Sequence, residues 1–127
     1  MNLKAVALAA VLGLATPMIT ETLTPTAVMA QSSPRGTFQD GTWLVNIDYS
    51  NNAFTYYGEN KRNGDSIYLS GASVGGNPQR RIYTWNNGGY RYRVAWRPSD
   101  PDFIRVRVIS PNGQEILNRL LSRHFDI

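Results

Sequence analysis

The chain has 127 residues, of which 42% are hydrophobic, and a net charge of +4 at pH 7. It contains no cysteine and a single histidine, which excludes a disulfide framework and argues against a zinc site. The charge is unevenly distributed, since residues 80–123 carry nine arginines against three acids and residues 31–79 carry three basic residues against four acids. Because arginine suits bidentate contact with carboxylate, sulfate or phosphate, this asymmetry predicts an anionic partner.

The first thirty residues have the features of a secretory signal peptide. Lys4 precedes an unbroken apolar or small run, Ala5–Ala15, and the segment ends in the small-x-small cleavage pattern Val28-Met29-Ala30. Eleven apolar residues are too few to cross a hydrocarbon core of about 30 Å. We therefore expect a signal peptide over 1–30, a flexible N-terminal segment over 31–41 and a single β-domain over 42–127. The domain would be exported to the periplasm or the cell exterior, with no transmembrane span after cleavage.

Turn signals recur every eleven to thirteen residues after the leader, and the runs between them are rich in β-branched and aromatic residues. No gap is long enough for a helical crossover, so neighbouring strands should pair antiparallel. The pattern predicts an all-β fold, an up-and-down meander of about seven strands that forms a small barrel or a curled sheet. An open sheet that dimerises through an edge is the alternative. The predicted strands cover 42–49, 53–61, 66–73, 80–86, 90–97, 103–109 and 114–122.

The segment 114–123 fits two structures. Its leucines and Ile116 would form one stripe of an amphipathic helix. The preceding Pro111-Asn112-Gly113, however, is a hairpin signal that favours a strand. Both a final strand and a short C-terminal helix stay open at this point.

Arginines alternate with apolar residues in two of the predicted strands. Because a strand points successive side chains to opposite faces, each run separates an apolar face from a cationic one. A hairpin centred near Asp100 would place Trp96 opposite Ile104 and Arg93 opposite Arg107. If 114–122 is a strand, Arg119 should lie opposite Arg105. The predicted anion- or partner-binding residues are therefore Arg91, Arg93, Arg97, Arg105, Arg107 and Arg119, and a merely solvated charged surface is the alternative.

A second predicted hairpin turns at Asn87-Gly88 and pairs Tyr83 with Tyr92 and Trp85 with Tyr90. These rings would lie on the face opposite the arginines. Binding of single-stranded nucleic acid needs rings and cations on one surface. Since the rings and the arginines are predicted on opposite faces, nucleic-acid binding is not expected. We also expect no catalytic residue, cofactor or metal ion. Asp100 and Asp102 are a possible carboxylate pair, but they lie in a proline-flanked turn, where aspartate is common for local hydrogen bonding.

The run Arg80–Tyr90, together with Trp96–Asp102, resembles short exported β-proteins of unknown function from cyanobacteria. This resemblance covers roughly the C-terminal half of the chain and implies no activity. Tyr56-Tyr57-Gly58 and the strand spacing are similar to those of the small β-barrels that inhibit bacterial lysozymes in the periplasm, although their cysteines are absent here. The second resemblance implies an architecture only.

The sequence thus favours a non-catalytic exported binding domain whose arginine face takes an anionic partner, either an acidic polysaccharide or the acidic surface of another protein. One alternative is a proteinaceous inhibitor of an exported hydrolase that presents a loop at Ser99–Asp102 or Gly75–Pro78. Another is a structural homo-oligomeric envelope protein.

Overall fold

The computed structural model describes residues 33–124, so the predicted signal peptide lies outside the described residues. Between residues 33 and 124 the chain forms nine β-strands and no helix. No helix within that range is therefore long and apolar enough to cross a membrane. The strands are β1 (Gly36–Gln39), β2 (Trp43–Ser50), β3 (Ala53–Asn60), β4 (Ser66–Ser70), β5 (Ser73–Asn77), β6 (Arg80–Asn87), β7 (Tyr90–Arg97), β8 (Asp100–Ile109) and β9 (Glu115–Arg123).

All nine strands belong to one antiparallel sheet that curls into a half-barrel, in the order β4-β3-β2-β1-β9-β8-β7-β6-β5. The prediction of an all-β curled meander is therefore confirmed, with two strands more than expected. The first and last strands pair with each other, through Phe38 opposite Arg123 and Gln39 opposite Ser122. The edges of the sheet are β4 and β5, which are consecutive in the chain.

One of the additional strands, β1, lies within the segment 31–41 that was predicted to be flexible. Phe38 is fully buried in the core, and the four residues of β1 pair with β2 from Gly36 opposite Ile47 to Gln39 opposite Leu44. The buried side chain of Phe38 and the pairing with β2 and β9 hold β1 in the sheet. A strand of four residues with one core side chain leaves little periodic signal in the sequence.

The other additional strand, β5, contains part of the predicted turn at Gly75–Pro78. The chain instead turns at Gly71-Ala72, and β5 then pairs with β6 across the two-residue turn Pro78-Gln79. The side chain of Asn77 accepts hydrogen bonds from the backbone N–H groups of Gln79 at 2.9 Å and Arg80 at 2.8 Å. This Asx turn closes the hairpin three residues after the glycine pair Gly75-Gly76.

The hairpin between β7 and β8 has the predicted register. Trp96 lies opposite Ile104, and Arg93 lies opposite Arg107. The predicted register of the β6–β7 hairpin is wrong, because Trp85 lies opposite Tyr92 rather than Tyr90. The turn falls at Gly88-Gly89, both with positive φ (58° and 87°), so glycine occupies both strained positions of the tight turn.

The segment 115–123 is a strand, which settles the choice between strand and helix. It follows a turn in which Gly113 has a φ of 88°, and the backbone N–H of Ser110 donates to the carbonyl of Gln114 at 2.8 Å. Ile109 lies opposite Glu115 but Val108 lies opposite Leu117, so Ile116 is an extra residue in β9. This β-bulge reverses the face on which every later residue of β9 lies.

The core is an aromatic cluster that joins the two halves of the curled sheet across its inner face. Phe54 of β3 contacts Tyr83 of β6 with ring centroids 4.9 Å apart, and Tyr56 contacts Trp85 at 5.3 Å. The indole N–H of Trp85 donates to the backbone carbonyl of Phe54 at 3.0 Å. Strands β3 and β6 are distant in the sheet, so these contacts hold the curl closed.

The inner face requires glycine at position 58. A Cβ atom placed there would lie 2.8 Å from the ring of Tyr56, which Trp85 confines. Gly58→Ala should therefore lower the free energy of unfolding by about 1–3 kcal/mol through overpacking. Gly75→Ala is the matched control in β5, since nothing lies within 4 Å of its Cβ position. It should be neutral or stabilise by up to about 1 kcal/mol. Urea denaturation of both variants measures the difference, and equal stabilities would contradict this account of the core.

Candidate functional site

The predicted arginines on β7 and β8 share the outer face of the sheet, defined here as the face opposite the buried Val94 and Val106. Arg93 lies directly opposite Arg107, and Arg105 lies opposite Ala95. Arg91 and Arg97 alternate with these residues along β7 and lie on the same side. The structure thus brings five of the six predicted site residues to one side of two neighbouring strands.

Arg119 is the exception, and the prediction that it lies opposite Arg105 is wrong. The bulge at Ile116 places Arg119 opposite Val106 and Leu120 opposite Arg105. Arg119 therefore leaves the outer face, and its guanidinium donates to the carboxylate of Asp40 at 2.9 Å. The prediction counted residue pairs outward from the β8–β9 turn. One inserted residue in β9 shifts all later pairs by one and moves each side chain to the other face.

Arg80 joins the outer face, although the sequence analysis did not include it. It alternates with Ile82, which lies opposite Ala95, and Ala95 in turn lies opposite Arg105. The small side chain of Ala95 forms the floor of a shallow depression of about 50 Å³. Four arginines and Ile82 surround that floor: Arg80, Arg93, Arg105 and Arg107. The signal was available in the alternation of Arg80, Ile82 and Thr84, because the predicted and the observed registers of β6 with β7 differ by two residues and put these side chains on the same face.

A larger groove of about 400 Å³ shares Arg80, Ala95 and Arg105 with the shallow depression. Arg97 lines the same groove. Its wall also includes the carboxylate residue Asp100 and two apolar side chains, Phe103 and Leu120, which are 41% and 52% exposed. The outer face is thus a continuous surface with cations in its centre and apolar residues on the β8–β9 side.

The arginines of this face differ in their partners. Arg107 forms an ion pair with Glu115, which holds the pKa of that carboxyl below its usual range, and Arg105 donates to the side-chain oxygen of Asn118 at 2.8 Å. No other residue between 33 and 124 forms a hydrogen bond or ion pair with the remaining four guanidinium groups, those of Arg80, Arg91, Arg93 and Arg97. Within that range, these four cations are available for an external anion.

Arg123 has a structural role instead. It donates to the Asp102 carboxylate at 3.1 Å and to the carbonyl oxygens of Arg35 at 2.7 Å and Pro101 at 3.0 Å. Its guanidinium also lies 4.5 Å from the ring centroid of Phe38. Gly36, with a φ of 126°, has no Cβ to obstruct the approach of this side chain. Arg123 thereby ties the end of β9 to the start of β1 and to the β7–β8 turn.

Asp40 fixes the turn between β1 and β2. Its carboxylate accepts the backbone N–H groups of Thr42 at 2.8 Å and Trp43 at 2.7 Å, besides the guanidinium of Arg119. Partial burial opposes ionisation, but these hydrogen bonds and the charge of Arg119 outweigh it and hold the pKa of Asp40 below its usual range.

Comparisons with known proteins identify no relative: no family model, no curated protein and no solved structure matches the chain. Between residues 33 and 124, no group of three or more histidine, cysteine, aspartate or glutamate side chains could hold a metal ion. His124 is held by β1, since its backbone N–H donates to the carbonyl of Thr37 at 2.8 Å.

Replacement of Arg123 should separate the structural arginine from those of the outer face. Arg123→Gln should lower the free energy of unfolding by about 1–3 kcal/mol, because three hydrogen bonds and a cation–π contact are lost. Arg91→Gln removes the same charge from a side chain without a partner in the described range and should change stability by less than about 0.5 kcal/mol. Thermal unfolding at matched salt tests both, and equal losses would contradict the division of roles.

Protonation of Asp40 should account for part of the loss of folding stability at acidic pH. Since its pKa is lower in the folded than in the unfolded chain, its contribution is present above the ordinary value of 3.8 and lost as the pH falls through the folded pKa. Asp40→Asn keeps the backbone hydrogen bonds and loses the ion pair. The variant should be less stable than the wild type by about 0.5–1 kcal/mol at pH 7, and the difference should shrink as the pH falls through the folded pKa of Asp40. Urea titrations at several pH values measure this. A stability difference for Asp40→Asn that stays constant with pH would refute the assignment.

Proposed function

We propose that this protein is a non-catalytic exported binding domain whose outer face takes an anionic polymer. Arg80, Arg93, Arg105 and Arg107 around the floor at Ala95 would be the centre of the site, and Arg91 and Arg97 would extend it along β7. The observation that carries the proposal is that four guanidinium groups of this face have no hydrogen-bond or ion-pair partner between residues 33 and 124, those of Arg80, Arg91, Arg93 and Arg97. Like charges on neighbouring strands are destabilising, so retaining them suggests a use outside the fold.

The rigidity of the face supports the same proposal. The cations lie on paired strands rather than on loops, and the inner sides of these strands are buried at Val94, Val106 and Ile104. Side chains on neighbouring strands are spaced by about 5 Å, and alternate residues of one strand by about 7 Å. A rigid array of this kind suits repeated carboxylate or sulfate groups. An acidic polysaccharide is therefore the partner that we propose.

The acidic surface of a second protein is the other candidate. Exposed Phe103 and Leu120 beside the arginines favour it, because apolar anchors next to charged groups are typical of protein interfaces. A hydrolase inhibitor has less support. Of its two predicted loops, Gly75–Pro78 has three residues in strand β5, so it offers no free loop for a cleft. A homo-oligomeric envelope role stays a prediction from the sequence.

Removal of two unpaired arginines tests the site. Arg80→Gln combined with Arg93→Gln should weaken binding to polygalacturonate about tenfold at 50 mM salt, because two exposed charge contacts are lost. The affinity of the wild type should fall steeply as salt rises, since exposed charges are screened beyond about 8 Å at physiological ionic strength. Calorimetric titration measures both effects.

The matched control removes two arginines that also lack a partner in the described range and lie away from the outer face. Arg62→Gln combined with Arg81→Gln lowers the net charge equally and should bind nearly as well as the wild type. If the two double variants lost affinity equally, the interaction would depend on net charge and the proposed site would be wrong. Circular dichroism should show the same fold for all proteins.

A further inference from the structure

A second cavity, of about 290 Å³, lies on the inner side of the half-barrel, at the end where β2 begins. Three aromatic side chains from three strands line it: Trp43, Tyr56 and Tyr92. The apolar Ile67, Val108 and Leu117 also line it. Small-molecule sites are commonly apolar concavities of this size or larger, with few polar groups, and the mouth of a barrel is a frequent location. The cavity lies on the opposite side of the sheet from the arginines of the outer face, so the two sites are separate.

Its aromatic wall is built into the core. The rings of Tyr56 and Tyr92 have centroids 5.6 Å apart and planes inclined by 58°. The absence of a Cβ at Gly58 leaves room for the ring of Tyr56. Burial, and to a lesser extent the neighbouring phenol of Tyr92, raise the pKa of Tyr56, so its ring stays neutral at physiological pH. The π faces of neutral aromatic rings carry partial negative charge and attract cations.

Asp65 is the one charged residue among the described residues that line this cavity. Its backbone is fixed, because its N–H donates to the side chain of Asn63 at 2.9 Å and its carbonyl accepts from the N–H of Asn60 at 2.8 Å. Its carboxylate forms no hydrogen bond or ion pair with another residue between 33 and 124. An exposed, unpaired carboxylate on a fixed backbone, at the rim of an aromatic cavity, sets the sign of the ligand that the cavity prefers.

We propose that this cavity binds a small organic cation, an alkylated ammonium group attached to an apolar or aromatic body. The ammonium group would lie against the rings of Trp43, Tyr56 and Tyr92 and be balanced by Asp65. The apolar body would contact Val108 and Leu117. Alkylated ammonium ions suit such a site because they carry positive charge without needing many hydrogen bonds. The site is independent of the anion-binding face and has the opposite charge preference.

Benzyltrimethylammonium is a suitable probe, titrated into the purified domain by ¹H–¹⁵N NMR. The indole signal of Trp43 should shift, with a dissociation constant of about 1 mM or lower. The signal of Trp96, whose indole N–H donates to the carbonyl of Pro101 at 3.1 Å, should stay in place as an internal reference. Asp65→Asn should weaken binding about tenfold, because it removes the charge and keeps the shape of the side chain.

Two controls make the result decisive. Asp100→Asn removes the same charge from the outer groove and should bind like the wild type, as should Arg80→Gln combined with Arg93→Gln. Choline should bind more tightly than its neutral isostere 3,3-dimethylbutan-1-ol. The proposal is overturned if the wild type does not bind the probe, if Asp65→Asn binds equally well, or if the neutral alcohol matches choline. Trp43→Leu, which keeps an apolar wall, should weaken binding about threefold or more. Loss of polysaccharide binding would not affect these outcomes.

Discussion

The structure depends on the aromatic packing across the inner face of the half-barrel. Within residues 33–124, the two halves of the sheet pair along the backbone where β1 meets β9, over two residue pairs. The contacts of Phe54 with Tyr83, and of Tyr56 with Trp85, join the halves on the opposite side. The hydrogen bond from the indole of Trp85 to the carbonyl of Phe54 fixes their relative position. Apolar burial therefore curls the sheet, and the curl creates the cavity on its inner side.

The same packing places aromatic rings on the inner side of the sheet and arginines on the outer face. Large rings occupy the inner side of β6 and β7, and the residues that alternate with them lie outside, among them Arg80, Arg91, Arg93 and Arg97. The arginines then divide by partner. Arg123 and Arg119 stabilise the joint between the chain ends through Asp102 and Asp40. The arginines of the outer face lie over a small alanine and largely lack acids, which leaves a cationic surface on a rigid support.

The local pattern predicted much of the fold, and its errors have specific causes. Alternation and a hairpin centred near Asp100 predicted that Arg93 would lie opposite Arg107. The pairing is regular from Arg91 to Trp96, and the register shift between Trp96 and Arg97 lies nearer the turn. The β6–β7 register failed because Gly88-Gly89 competes with Asn87-Gly88 for the same tight turn. Arg119 was misplaced by one extra residue at Ile116, and a bulge has no clear signal in an alternating run.

The sequence by itself determined the fold class, the approximate strands of the C-terminal half and the presence of arginines on the face opposite the rings. Strand parity is a local property, and each of these conclusions needs only residues close together in the chain. The tertiary structure alone decided the pairing of β1 with β9, the position of Arg80 beside Arg105, and the meeting of Asp65 with Trp43 and Tyr92 at one cavity. These juxtapositions join residues far apart in the chain, so they depend on every intervening turn, bulge and register at once.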